Sequence, residues 1–247
     1  MVSATNLKNQ PRVLAIVAMA LGGFVAGQVL ATVFDALGVA IAGFPGGLNA
    51  LAALADPPWW SNVAGLLGLW IGFGLAIFLA HRSGGLEALP RAWAMRASDL
   101  AYLVLGVACQ VAVGVAYAPF HPKNMDKPVN HLFGAAHGAS FALLAVMTVV
   151  GAPLVEEWLF RGVLYRAFSL AWSARMGRAG DALAVAASAM VFALAHAEGL
   201  QLPGLFFLGV VLALVLRRTQ RLTPAVATHV GFNALTMLSL VAQRAGH

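Results

Sequence analysis

Charge is scarce in this chain: Asp, Glu, Lys and Arg make up only 10% of the residues, against 61% hydrophobic. With a mean hydropathy of +0.84, that scarcity excludes an ordinary soluble domain. Cysteine is scarcer still. Cys109 stands alone, so no intrachain disulfide can form and the redox compartment is unreadable. Internal repeats, low-complexity tails and soluble stretches of domain size are absent as well. The pI near 10.3 would raise nucleic acid as a partner. The basic residues punctuate apolar runs instead of forming a patch, so they read as anchors at lipid head groups, with no nucleic-acid partner. What remains is an integral membrane protein. Its 247 residues suit an all-α, polytopic membrane helix bundle of about seven to eight transmembrane helices with an intramembrane polar site.

Apolar runs fall at about 13–34, 62–80, 98–119, 139–172, 182–198, 203–217 and 223–242, with ends placed to within a few residues, and read as helices in a bilayer. Lys8 and Arg12 precede the first, but the run is too long for the core of a cleaved signal peptide and reads as a retained helix. A weakly apolar stretch at 36–54 adds a short helix. The fourth run exceeds one straight crossing, and Pro153 is expected to kink it or split it into a membrane helix and an interfacial one. Gly23 and Gly27 in the first run, and Gly68 and Gly72 in the second, repeat at the spacing that lets helices pack closely.

The arginines set an orientation. Arg82, Arg91 and Arg96 fall in one connection, Arg161, Arg166, Arg175 and Arg178 in a second, and Arg217, Arg218 and Arg221 in a third. The intervening connection at 44–61 has no Lys or Arg, and carries Trp59 and Trp60 at an interface position. This alternation puts the N-terminus in the cytoplasm and, after seven spans, the C-terminus outside. Lys123 and Lys127 run slightly against it. Arg far outnumbers Lys and Ala is abundant, which points to a GC-rich bacterial genome and so to a bacterial cytoplasmic membrane.

Against this background, polar residues inside the runs stand out, because a carboxylate at the bilayer centre costs on the order of 2.5–3.5 kcal/mol by insertion scales. Glu156 and Glu157 are adjacent in the fourth run, with Arg161 close by. Four residues apart on a helix, Glu157 and Arg161 lie over one another, while Glu156 points about 100° away. One carboxylate is thus neutralised and its neighbour is free to take a proton. His196 follows Phe192 by four residues, and Asn233 follows His229 by four, so each pair shares a helix face. Taken singly, each has a structural reading: a buried ion pair, a packed histidine, an interhelical amide bond.

Taken in order, Glu-Glu-x-x-x-Arg, Phe-x-x-x-His and His-x-x-x-Asn over residues 139–242 resemble the CPBP family of intramembrane proteases. That family includes type II CAAX prenyl endopeptidases and bacterial proteins of bacteriocin processing and self-immunity. The resemblance implies that 139–247 holds the catalytic helices and that 1–138 carries no catalytic motif, within one continuous membrane domain. It makes Glu156, with His196, the base that activates water, and gives His229 and Asn233 the oxyanion. Glu157 and Arg161 hold the first glutamate and its helix in place, and Phe192 supports His196. Trp158 stands where the family more usually has a smaller aliphatic residue, a change that could reshape the entrance. The implied partners are a membrane-associated peptide or protein substrate and the lipid bilayer.

A divalent metal such as zinc is compatible with Glu156, His196 and His229 as three ligands. The chain lacks a His-Glu-x-x-His helix, and the reading leans toward a metal-free glutamate mechanism. If α-helical rise is applied to these runs, His196 lies several ångströms or more from Glu156 and His229 along the membrane normal. The expected activity is endopeptidase cleavage within the bilayer or at its cytoplasmic edge. An ion- or proton-coupled transporter would also use intramembrane Glu and His, but no inverted repeat is visible. A non-catalytic immunity or partner protein is a further alternative. Ser140 in Gly-Ala-Ser superficially resembles an intramembrane serine nucleophile but has no histidine partner. His81, His121, His131, His137 and His247 fall near loops and are assigned no role.

Overall fold

The computed structural model describes residues 13–84, 86, 92–120 and 122–245. Lys8, Arg12, Arg91, His121 and His247 lie outside them. The described chain is all helical: α1 (Val13–Ala42), α2 (Gly47–Ala52), α3 (Trp59–Arg82), α4 (Ala97–Phe120), α5 (Lys127–Phe133), α6 (Gly138–Met176), α7 (Arg178–Ala195), α8 (Leu202–Thr219) and α9 (Leu222–Ala245). Seven of these, all but α2 and α5, are long and apolar enough to cross a membrane. The first runs past the expected end at residue 34 to Ala42, and the short helix expected within 36–54 is α2.

Helix α6 departs from one of the two outcomes expected at Pro153, a split. It does not break at Pro153 but continues for 39 residues, with π-helical winding over Met147–Gly151 and again over Trp158–Tyr165. Proline removes one backbone donor. In the π stretch before it, the Ala152 amide bonds the Met147 carbonyl five residues back. The next bond of that series would come from Pro153, which has no N–H, and it would have ended on the Thr148 carbonyl. The winding absorbs the proline without splitting the helix.

In a bilayer, helices associate through close packing and interhelical hydrogen bonds. Helices α1 and α3 meet at the four glycines noted above: a Cβ at Gly72 would strike the Gly23 carbonyl, and one at Gly27 would lie 2.9 Å from the Leu69 Cα. Helix α4 crosses α9 in the same way, with Gly106 against the Thr228 carbonyl and Gly231 against that of Leu103. That crossing fixes the turn of α9 bearing His229.

Each end of the bundle is tied separately. At one end Arg221 grips both oxygens of Asp99, at 2.7 and 2.8 Å, and the Ala94 carbonyl at 2.8 Å. Asp99 raises the Arg221 guanidinium above its ordinary pKa. Arg217 pairs with Asp181 at 2.7 Å at the same end. At the other end Gln201 holds the Met125 carbonyl, Arg244 those of Phe133 and Ala136, and Asn62 that of Leu132. The segment around α5 is thereby strapped across the ends of α3, α8 and α9.

Candidate active site

Helix α6 places Glu156 and Glu157 on neighbouring faces. Glu157 and Arg161 are fully buried, and Arg161 Nη1 donates to Glu157 Oε1 at 3.0 Å. The i, i+4 pairing expected from the sequence is therefore present. The guanidinium also donates through Nη2 to the Gly209 carbonyl of α8 at 3.2 Å and lies 4.3 Å from the centre of the Phe192 ring. A buried charge needs such partners, since desolvation otherwise costs several kcal/mol per ion.

A second partner of Glu157 comes from α9. His229 Nδ1 lies 2.9 Å from the same Oε1. A carboxylate oxygen accepts, so Nδ1 carries the proton. The other ring nitrogen, Nε2, faces Glu156 Oε2 at 3.8 Å. Glu156 Oε2 is buried with no hydrogen-bond partner. At 3.8 Å the two are too far apart to bond directly, yet a water set off the line between them can reach both at about 2.8 Å.

His196 stands just past the end of α7, its Nδ1 2.9 Å from the Phe192 carbonyl. A carbonyl only accepts, so here too Nδ1 bears the proton and Nε2 is left as an acceptor. Phe192 packs edge-on to both imidazoles, with ring centres 4.8 Å from His196 and 5.6 Å from His229. It continues through Phe160 to Phe73 in edge-to-face contacts of 5.3 and 5.9 Å. Asn233 donates through Nδ2 to the Thr148 carbonyl at 3.0 Å, the acceptor orphaned by Pro153. Its other amide hydrogen has no partner among the described residues.

Glu156, His196, His229 and Asn233 line one cavity of about 360 Å³. His196 therefore lines the same cavity as Glu156 and His229 despite the axial offset expected from helical rise. Sequence reasoning missed several walls: Leu66 of α3, Gln110 and Val113 of α4, and Met125 to Phe133 around α5. Gln110 Oε1 is buried there without a partner. Nothing in its local spacing distinguishes it, because its neighbours come from distant helices. At Val113 and Gly204 the cavity meets an apolar groove between α4 and α8, about 460 Å³ in volume.

Trp158 points elsewhere, packing edge-on to Trp93 at 5.6 Å, and it does not line the cavity. Ser140 caps the start of α6 through His137, donating to its carbonyl at 2.8 Å, outside the cavity lining. Zinc would need Glu156, His196 and His229 to converge. Among the described residues no three His, Cys, Asp or Glu side chains are grouped closely enough to hold a metal ion. Glu156 and His229 face one another, but His196 is set apart along the Phe192 ring, so the donor set does not fit and no step is routed through a metal.

Residues 131–235 match the family model described as Type II CAAX prenyl endopeptidase Rce1-like. No curated protein and no solved structure matches the chain. The family match spans less than half of the chain and contains every polar residue of the cluster. It suggests membership of that family, and the buried Glu/His cluster in a membrane helix bundle is consistent with an intramembrane catalytic site.

Proposed function

We propose that the protein is an intramembrane endopeptidase that hydrolyses a peptide bond of a membrane-associated protein or peptide. The observation that carries this reading is the facing pair of Glu156 Oε2 and His229 Nε2, backed by a buried Glu157–Arg161 pair. A water between them loses one proton to Glu156 as its oxygen attacks the substrate carbonyl. His196 Nε2 is available to accept the water's other hydrogen. The developing oxyanion needs donors. Asn233 offers its second amide hydrogen, and His229 donates from Nε2 when it has taken up a proton from bulk water before the substrate binds, the imidazolium that Glu157 stabilises from Nδ1. Glu156 then returns its proton to the leaving amine as the C–N bond breaks. Phe192 and Arg161 are positioning residues in this scheme.

The test is cleavage of a library of membrane-associated peptides in liposomes. Glu156→Gln keeps the shape and removes the base, so the rate is expected to fall by about 10²–10⁴-fold with the melting temperature retained. Full activity in that variant would sink the reading. Dialysis against a chelator is expected to leave the wild-type rate unchanged, since the donor set does not converge. Loss of activity restored by added zinc would show that it rearranges.

A further inference from the structure

Which side of the membrane the cavity faces can be read from its lining. Its floor is Glu156, midway along α6, and His229, in the half of α9 nearer Arg221; its walls then rise along Asn233 and Met237 of α9, Leu66 of α3, Gln110 and Val113 of α4, the end of α7 at His196 and the first turn of α8 at Gly204 and Leu205. From that floor the walls run toward the bundle end that carries α5, where Met125, Asp126, Pro128 and Val129 of the segment around α5 line the outer part of the cavity. The opposite end carries Arg82, Arg96, Arg175, Arg178, Arg217, Arg218 and Arg221. Among the described residues the α5 end has only Lys123, Lys127 and Arg244, and Arg244 is engaged with the Phe133 and Ala136 carbonyls. Short connections rich in arginine stay in the cytoplasm.

We propose that the cavity opens to the extracytoplasmic half of the bilayer. The substrate class is then an exported or membrane-anchored chain whose scissile bond is presented from outside. Of the two expected positions, this keeps cleavage within the bilayer and not at its cytoplasmic edge, and its substrate clause rests on the endopeptidase reading. The geometry is asymmetric enough to enforce it. Between Glu156 and the arginine-rich end lie the fully packed Phe160, Arg161 and Phe192, whereas on the other side the cavity runs unbroken to α5.

Single cysteines test the sidedness without requiring catalysis. Cys109 is buried, so the parent chain serves as the blank. In intact cells, a membrane-impermeant charged maleimide is expected to label Asn130→Cys on α5 and Thr236→Cys in the cavity wall. Ser98→Cys, at the arginine end, should be labelled only after permeabilisation. The reverse pattern, equal labelling of all three, or labelling of Thr236→Cys only in permeabilised cells would each overturn the proposal. The same series in a Glu156→Gln background should give the same pattern, so failure of the endopeptidase reading would leave the sidedness standing.

Discussion

Glu157 is the residue on which the site turns, although it never faces substrate in the proposed chemistry. Its Oε1 binds Arg161 and His229 together, coupling the charge balance of α6 to the tautomer of a histidine on α9. Removing only the cation strands that charge: Arg161→Met is expected to destabilise by about 3–5 kcal/mol, read as a lowered melting temperature in detergent. Glu157→Gln combined with Arg161→Met should recover most of that loss without recovering cleavage, because the neutral amide no longer stabilises an imidazolium. A double variant that cleaves normally would show the pair to be structural only. Asn233→Ala leaves the Thr148 carbonyl unpaired. An interhelical bond of this kind averages about 0.6 kcal/mol in membranes, so stability should change little. Loss of an oxyanion donor should cost about 10²-fold or more in rate. The i, i+4 relations of Glu157 with Arg161 and of His229 with Asn233 are legible from spacing alone. The bond between His229 and Glu157, 72 residues apart, is not, since helical periodicity says nothing about which helices become neighbours.

At the scale of the element, α6 shows why the split, one of the two outcomes expected at Pro153, does not occur. Proline within a long apolar run reads as a kink or a break because it deletes a donor and crowds the preceding turn. Here a wider turn accommodates the ring and Asn233 takes up the spare carbonyl, so the helix continues. The glycine pairs were legible in kind, because small residues at that spacing admit close approach, but the partner of each had to come from the fold. Gly231→Leu should push α9 away from α4 and displace His229, lowering both melting temperature and rate. Leucine at Gly74, which has open space around it, should be neutral by both measures. The π-wound Trp158–Tyr165 stretch adds a further constraint. Deleting one residue within it would rotate everything on one side by about 100° relative to the other, so this turn should tolerate substitution better than any change of length. A deletion scan across 158–165 that kept full cleavage would refute this.

At the scale of the molecule, the spans were readable because continuous hydropathy is a strong signal, and the polar cluster because ionisable groups are rare in such spans. The share of the first half was not readable. Leu66, Gln110 and the α5 segment contribute walls and roof through positions that have no motif, and Phe73 abuts Phe160 from α3. A fragment confined to residues 131–235 is therefore expected to lack cleavage activity despite carrying every polar group. Activity in that fragment would show the earlier helices to be dispensable.

The packed rings of Phe73, Phe160 and Phe192 have an electrical consequence. On the proposed sidedness water reaches Glu156 from one face only, the low-dielectric plug beneath it takes most of the voltage drop, and the cavity itself sits near the potential of the outer solution. A full elementary charge crossing the membrane field is worth about 2.3 kcal/mol per 100 mV. A proton moving between outside water and Glu156 would traverse only a small part of that field. Turnover in energised vesicles should then follow external pH and be nearly indifferent to membrane potential.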